Sequence, residues 1–432
     1  MMRESFICSV LLLSGLVGCG SSGLAQGFNF FDYISPLSIK REKSLGRSDG
    51  VEKIPVLDFI GLVKRHDYPA EEHKITTLDG YLLRLHRIPG SQKSPSASDK
   101  PVVFLQHGIL ASSDQFVIAG PERDLAFILA DAGYDVWLGN IRGNTYSRSH
   151  VQLSPDRNPE FWQFSMHEMG LYDASAAIDH ILQITGQQSI IYVGHSMGTS
   201  IVLILLSCKP EYNDKIRLVI NMASVGYWIR PRNFIKLLKD NGEVLQRFLL
   251  AARITEVFPQ TLANGEILNG TCRAGSPFQH LCMDFIQYVS GYSPELFDTR
   301  LVAESFSYFP AGGSTQTLLH FYQNIKAGKM QMYDHGLVGN FARYNQRTPP
   351  VYNLENIVTP VVLIYGRSDA VATPEDSMDL LNRLRNARAE SVPYDNFNHL
   401  DFIWGKDTKR LLQNRIMQII ENFMRNGSLS VL

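Results

Sequence analysis

The sequence predicts an α/β fold: a mostly parallel central sheet covered on both faces by helices and interrupted by a helical insertion. Three observations predict it. Short apolar runs alternate with amphipathic stretches up to about residue 225, the pattern of strand–helix–strand units whose strands are buried on both sides. The alternation lapses between 226 and 350, where helical periodicity and aromatic residues dominate, and it resumes at Pro360. In the first half, the run Ile190-Ile191-Tyr192-Val193 passes directly into Gly194-His195-Ser196-Met197-Gly198 and then into an apolar helix.

Length and composition bound the answer. The chain has 432 residues, 44% apolar and 19% charged, ample for a core. Length alone permits roughly two or three domains, or one large domain with an insertion. A net charge of −1 offers no basic field for nucleic acid and no acidic solvating tail. Five cysteines are too few for a disulfide scaffold, and none form C-x-x-C. His167-Glu168 lacks the second histidine of H-E-x-x-H, and there is no P-loop and no G-x-G-x-x-G after a strand. No cofactor and no metal are expected.

The first 25 residues read as an export signal. Arg3 precedes the apolar run Phe6 to Val17, and small residues lead to Gly23-Leu24-Ala25, where cleavage is expected. The run is too short to span a bilayer, and no other stretch is long and apolar enough. (Leu16-Val17-Gly18-Cys19 also resembles a bacterial lipoprotein site, the lesser reading.) Cys208, Cys272 and Cys282 then remain. An oxidising compartment allows one bridge; Cys272–Cys282 closes a short loop and is the expected pair, with Cys208 a buried free thiol on the apolar helix. Sequons at Asn269 and Asn426 fit a secreted glycoprotein.

In order along the chain, Ile75 to Ile88 reads as a β-hairpin turning at Asp79-Gly80. Residues 91 to 100, rich in Ser, Lys and Pro, form a surface loop. Val102-Val103-Phe104-Leu105 is a buried strand running into Gln106-His107-Gly108-Ile109. Leu125 to Asp131 is helical, Tyr134 to Leu138 a strand, and Asn140 to Asn144 a polar turn whose Arg142 is suited to hold a carboxylate or loop carbonyls. Apolar positions Leu171, Ala174, Ala177, Ile178, Ile181 and Leu182 mark a helix over 167–185. The helix after Ser196 is expected from about Ser200 to Ser207, and the next strand over Leu218 to Ala223. Phe234 to Leu238, Leu245 to Ala252, Phe285 to Val289 and Thr317 to Ile325 are the clearest helical pieces of the insertion. Pro360 to Tyr365 is a strand followed by Gly366-Arg367-Ser368-Asp369. Ser391 to Tyr394 is expected to be the last strand, before Asn398-His399 and a helix over 409–426.

A serine between two glycines at a strand-to-helix junction is the nucleophile elbow of α/β-hydrolases. The turn strains the serine backbone and presents its hydroxyl above the sheet, at a helix N-terminus that favours developing negative charge. Serine 196, acid 369 and histidine 399 follow the chain order of that fold. Asp376, Asp395 and Asp401 compete as the acid; Asp369 is preferred because it follows a strand end. The strand ending in His107-Gly108 is where the fold places an oxyanion donor, so the N–H groups of Ile109 and Met197 are the expected hole. His107 is expected to support that loop.

Longer matches narrow the family. They are Thr77 to Tyr81, Leu105 to Ser113, Leu138 to Ser147, Phe161 to Ser165, Tyr192 to Ser196, Tyr344-Asn345-Gln346 and Asn398 to Gly405. Over nearly all of residues 55 to 425 the chain resembles the acid lipases of the gastric and lysosomal type. The resemblance implies the triad Ser196, Asp369 and His399, the oxyanion hole at Ile109 and Met197, and a cap at roughly 226–350 with its lid around 258–290. The organisation expected is a signal at 1–25, hydrolase core at 26–225 and 351–432, and the cap between. Two departures stand out: the family usually has glutamine where this chain has Met197, and relatives often have three cysteines in the lid region where this chain has two. The function expected is a secreted or lysosomal lipase acting on fatty-acid esters, triacylglycerols or sterol esters, at a lipid–water interface. The alternatives are a carboxylesterase or thioesterase on soluble esters, or a non-catalytic lipid carrier on the same scaffold.

Overall fold

The computed structural model describes residues 56–260, 270–273 and 275–428; the expected signal at 1–25 and the sequon residue Asn269 lie outside them. Ten strands occur among these residues: β1 Glu71–Thr76, β2 Leu82–Ile88, β3 Val102–Gln106, β4 Asp135–Leu138, β5 Ile190–His195, β6 Ile216–Met222, β7 Glu256–Val257, β8 Gly313–Ser314, β9 Val361–Tyr365 and β10 Ala387–Ser391. Eight of them form one sheet in the order β1-β2-β4-β3-β5-β6-β9-β10. The pairs from β4 to β10 are parallel, and the β1–β2 hairpin is added antiparallel at one edge.

The central strands are buried almost throughout because both faces are covered. Val103, Leu105, Ile191, Val193, Leu218, Ile220, Val362 and Ile364 enter one apolar cluster, with Leu125 and Leu129 and with Ile416, Ile419 and Ile420 of the C-terminal helix Asn414–Asn426. Their neighbours Phe104, Ile190, Tyr192, Val219, Val361 and Leu363 point the other way. There they meet the helices Ser175–Thr185 and Met197–Cys208. Period-two alternation therefore serves two cores at once. Each fully buried aliphatic side chain contributes about 1.5–3 kcal/mol.

The helix after Ser196 starts at Met197, three residues earlier than its apolar pattern suggests. Segment 167–185 is a short helical turn, a π-helical turn Met169–Ala174 and the helix Ser175–Thr185. The last strand is β10, Ala387–Ser391, four residues before the expected one. Every residue of β10 is half-buried, and Arg388 and Glu390 lie within it, so this edge strand carries no apolar run. Pro393, inside the expected segment, has no N–H to give a ladder.

Arg142, in the turn after β4, is buried and joins three segments. Its Nε and backbone N–H donate to Asp173 at 2.7 and 2.9 Å, and its terminal nitrogens donate to Asp79 in the hairpin turn at 2.6 and 2.9 Å. The guanidinium lies 4.0 Å from the Tyr81 ring centroid. Burial works against the cation, but the two carboxylates outweigh it and hold Arg142 protonated. The hairpin segment Thr77 to Tyr81 thus supplies both a carboxylate and a ring to one buried charge.

Between β6 and β9, neighbours in the sheet, the chain leaves it for about a third of its length. This excursion holds the helices Asn233–Ala251, Gln279–Ser290, Thr299–Ser305, Thr315–Ala327 and Gly336–Tyr344, and the two-stranded β7–β8 ribbon. The pieces expected at 234–238 and 245–252 are one helix of 19 residues. Its Gly242 sits under the Tyr322 ring, where a Cβ would not fit. Cys272 and Cys282 form a disulfide within a small apolar centre completed by Met283, Phe297 and Val302. Cys208 is free, at the end of its helix and half-buried, less enclosed than expected. Among the described residues no helix is long and apolar enough to cross a membrane.

Candidate active site

Sites in an open parallel sheet form beyond the carboxyl ends of its strands, and the candidate residues gather there. Ser196 follows β5 directly with φ 51° and ψ −120°, a strained conformation that costs of order 1–3 kcal/mol. Neighbouring bonds hold it. Ser196 N–H donates to the Met222 carbonyl at 3.0 Å, and the Ser196 carbonyl accepts from the backbone and hydroxyl of Thr199 at 2.9 and 2.6 Å. The glycines permit the tight turn. A Cβ on Gly194 would lie 2.8 Å from the Gly198 carbonyl carbon, and one on Gly198 would overlap the Gln106 carbonyl oxygen.

The structure brings Ser196, His399 and Asp369 into one hydrogen-bonded line. Ser196 Oγ and His399 Nε2 are 2.9 Å apart, and His399 Nδ1 and Asp369 Oδ2 are 2.9 Å apart. Facing a carboxylate, Nδ1 carries the ring proton, which leaves Nε2 as acceptor for the serine hydroxyl. Asp369 is fully buried, and its other oxygen accepts from the backbone N–H groups of Val371 and Ala372 at 2.8 Å each. Ser196 and His399 are only 5% and 7% exposed, so the line is sealed from bulk water in this arrangement.

Gly108 brings the β3 loop against Ser196: a Cβ there would stand 3.1 Å from Ser196 Cβ. Met197 opens the helix, so its backbone N–H belongs to the first turn, where donors lack intrahelical partners. The side chains of Ile109 and Met197 pack in the same apolar cluster. Beneath the loop, His107 Nδ1–H donates to the Gly108 carbonyl at 2.8 Å and Nε2 accepts from Ile141 N–H at 3.3 Å. Burial pulls its pKa down to about 4, so His107 stays a neutral brace. A cleft of about 470 Å³ lined by Glu168, Gln246, Gln316, Tyr333, Asp334 and Arg343 touches none of these residues. Its polar walls lack the serine, histidine and aspartate line.

Residues 101–406 match the family model for the alpha/beta hydrolase fold, and residues 59–120 match the partial alpha/beta-hydrolase lipase region. "Lipase 3" of Drosophila melanogaster is 38% identical over 375 residues, 85% of this chain and 94% of that protein. Human "Gastric triacylglycerol lipase" is 38% identical over 356 residues, 82% of this chain and 88% of its own length. Human "Lipase member K" is 36% identical over 362 residues, 83% and 89% of the two chains. The chain belongs to the acid lipase family of α/β-hydrolases. A solved structure from Sulfolobus solfataricus, titled as a candidate lipase, shares the fold at a TM-score of 0.54, covering 82% of this chain and 94% of its own, with 13% identity.

In this acid lipase the competing carboxylates have other partners. Asp395 pairs with Arg367 at the surface. Asp376 accepts from Ile229 N–H at 2.7 Å and from the Thr373 hydroxyl at 2.7 Å. Asp401 accepts from Asn398 N–H at 2.9 Å, while Asn398 Oδ1 accepts from the backbone of Leu400 and Asp401, each at 2.9 Å. This reciprocal pair ties the histidine loop into a turn. The only sequence trace of it is an asparagine three residues before an aspartate. His195, inside the elbow motif, donates through Nε2–H to the His399 carbonyl at 3.2 Å. Burial, with His399 close by, holds its pKa well below the ordinary value, so that imidazole stays neutral. Neither role was legible as more than a residue type. Asn426 is exposed at the end of the last helix.

Burial pushes the Asp401 carboxyl up to about 7, against the opposing pull of its Asn398 hydrogen bond. The folded chain therefore holds a proton that the unfolded chain releases above about pH 4. Asp401 contributes stability below that pH and loses it as the pH rises toward 7. We expect Asp401→Asn, neutral at every pH, to exceed wild type by only about 1 kcal/mol near pH 4.5 and by more near pH 8. The gain at pH 8 should be about 2–4 kcal/mol, since each tenfold difference in proton affinity between the folded and unfolded chain is worth about 1.4 kcal/mol. Urea unfolding at both pH values measures it, and an equal difference at both would reject the linkage.

Proposed function

We propose that the chain is a secreted or lysosomal lipase that hydrolyses carboxyl esters of fatty acids through an acyl-enzyme formed on Ser196. The observation that carries this reading is the unbroken line from Ser196 Oγ through His399 to Asp369. Ser196 Oγ attacks the acyl carbonyl as His399 Nε2 takes its proton. The carbonyl oxygen gains the negative charge, which the N–H groups of Ile109 and Met197 receive. The bond to the alcohol then breaks, and His399 gives its proton to the departing alkoxide. Water enters with His399 again as base, and the tetrahedral adduct collapses to fatty acid and free Ser196. Asp369 keeps the imidazole in the competent tautomer and offsets its positive charge.

A greasy substrate is supported by the family and by the surface. Relatives are named lipases, one of them for triacylglycerols. Phe278, Leu281, Tyr288 and Tyr292 are exposed on and beside the helix Gln279–Ser290, apolar surface that suits a lipid phase. Residues 226–350 are read as the cap and 258–290 as its lid, of which 261–269 and 274 lie outside the described residues. Ser196 and His399 are almost fully covered, so substrate reaches them when whatever covers them moves. Export through the signal at 1–25 agrees with the Cys272–Cys282 disulfide and with a glycan at exposed Asn426.

The test is purified protein on emulsified triolein with a soluble ester alongside. Fatty-acid release that jumps above the substrate's solubility limit, and stops after fluorophosphonate treatment, supports the lipase. Saturation below that limit supports an esterase for soluble substrates. No release, with no fluorophosphonate labelling of the folded protein, leaves the lipid-carrier reading.

A further inference from the structure

The acid and the histidine reside on two separate loops after β9 and β10, and a third segment is wedged between them. It comes from the excursion, not from the sheet. The carbonyl of Ser290, last residue of the helix Gln279–Ser290, accepts from Ala370 N–H at 3.2 Å and from His399 N–H at 3.1 Å. One oxygen thus bridges the residue after the acid and the histidine itself. Asn398 Nδ2 donates to the Gly291 carbonyl at 2.8 Å and to Ser290 Oγ at 3.3 Å, and Ser368 Oγ donates to the Tyr292 carbonyl at 2.7 Å. With the His195 bond to the His399 carbonyl, the histidine's main chain is gripped at both its N–H and its C=O.

Gly291 shows how tight the wedge is. Its φ is +112°, and a Cβ there would overlap the Ser368 carbonyl oxygen and come within 3.1 Å of Asn398 Cβ. Any side chain at 291 must therefore push the acid loop and the histidine loop apart. The same helix carries Cys282, whose disulfide to Cys272 ties it to the preceding turn.

We infer that Ser290 and Gly291 are positioning residues for the His399–Asp369 pair, so that the lid-side helix Gln279–Ser290 and the proton-transfer geometry form one mechanical unit. The inference rests on the triad reading above. A shift of that helix reaches His399 directly through Ser290, without passing through the sheet.

Gly291→Ala tests it on monomeric p-nitrophenyl butyrate, which needs no lipid interface. The expected result is a kcat lower by about 10- to 100-fold with KM within about twofold, because misplacement of a catalytic group by an ångström costs on that order. The downfield proton resonance of the His399 Nδ1–H···Asp369 bond should weaken or vanish. Gly328→Ala is the control: φ there is +62°, and a Cβ would meet nothing within 4 Å. It places an alanine at a positive φ, in the milder left-handed helical region, away from both loops, and its kcat should match wild type. A Gly291→Ala enzyme with the kcat and resonance of the control overturns the inference, as does a loss expressed only in KM. Should Gly291→Ala not fold, Ser368→Ala deletes one bond of the wedge; a fall in kcat of about threefold supports the inference, and an unchanged kcat overturns it. Ser196→Ala run in parallel separates the two ideas. If it retains wild-type rate, the triad reading falls and takes the inference with it; if it is inert while Gly291→Ala is fully active, only the positioning role falls.

Discussion

Ser196→Ala is expected to reduce kcat on p-nitrophenyl butyrate by roughly a millionfold, the order found when a triad nucleophile is removed. KM should change little, because the hydroxyl acts on the reacting carbon and contributes little to ground-state binding. The residual rate would come from the oxyanion donors and from substrate placement, which survive the substitution. Alanine removes only the hydroxyl and keeps the backbone bonds that hold the turn, from its N–H to Met222 and to its carbonyl from Thr199, so folding should stay intact; circular dichroism and thermal unfolding verify that. Rates equal to wild type would remove the acyl-enzyme from the mechanism.

Asp369→Asn is expected to lower kcat by about 10⁴-fold, through tautomer choice and not through shape. In the native site Nδ1–H of His399 donates to Asp369 Oδ2. An asparagine amide turned toward Nδ1 offers a donor, so the ring proton moves to Nε2, the atom that must accept from Ser196. The other carboxylate oxygen already takes two backbone N–H groups, which hold the asparagine oxygen on that side and the amide toward the ring. Asp401→Asn is the companion measurement. Its carboxyl faces Asn398 N–H and not the imidazole, so kcat should stay within a few-fold while the pH dependence of stability changes. A larger loss from Asp401→Asn than from Asp369→Asn would reassign the acid.

Much of this arrangement is legible in the sequence because burial on both faces leaves a plain mark. Val102 to Leu105, Ile190 to Val193 and Val361 to Ile364 are uninterrupted apolar runs, and each became a central strand. The edge strand Ala387–Ser391 left no such mark: it is half-buried throughout, and Glu390 within it pairs with Arg415 of the last helix. The helix Asn233–Ala251 read as two pieces because Asp240-Asn241-Gly242-Glu243 interrupts its apolar pattern; that interruption is the seat of the Tyr322 ring. At the candidate site, strand ends directed attention to Ser196 and Asp369, and chain order to His399. What stayed hidden are the groups that act through backbone atoms: the Ser290 carbonyl, the Asn398–Asp401 turn and the His195 bond to His399. A carbonyl oxygen has no residue type, so no sequence pattern announces it.

The strand order also carries a consequence in time. Chains are made from the N-terminus at about 5–20 residues per second, and domains fold largely as units. β3 and β5, with Ser196 and the loop beside it, leave the ribosome early, whereas His399 lies 203 positions after the serine, beyond the last strand of the sheet. A nascent chain therefore displays Ser196 with nothing to deprotonate it until β9 and β10 have joined β6 at the far edge. The hydrolase is made without its triad assembled, and gains it only when the last strands of the sheet are in place.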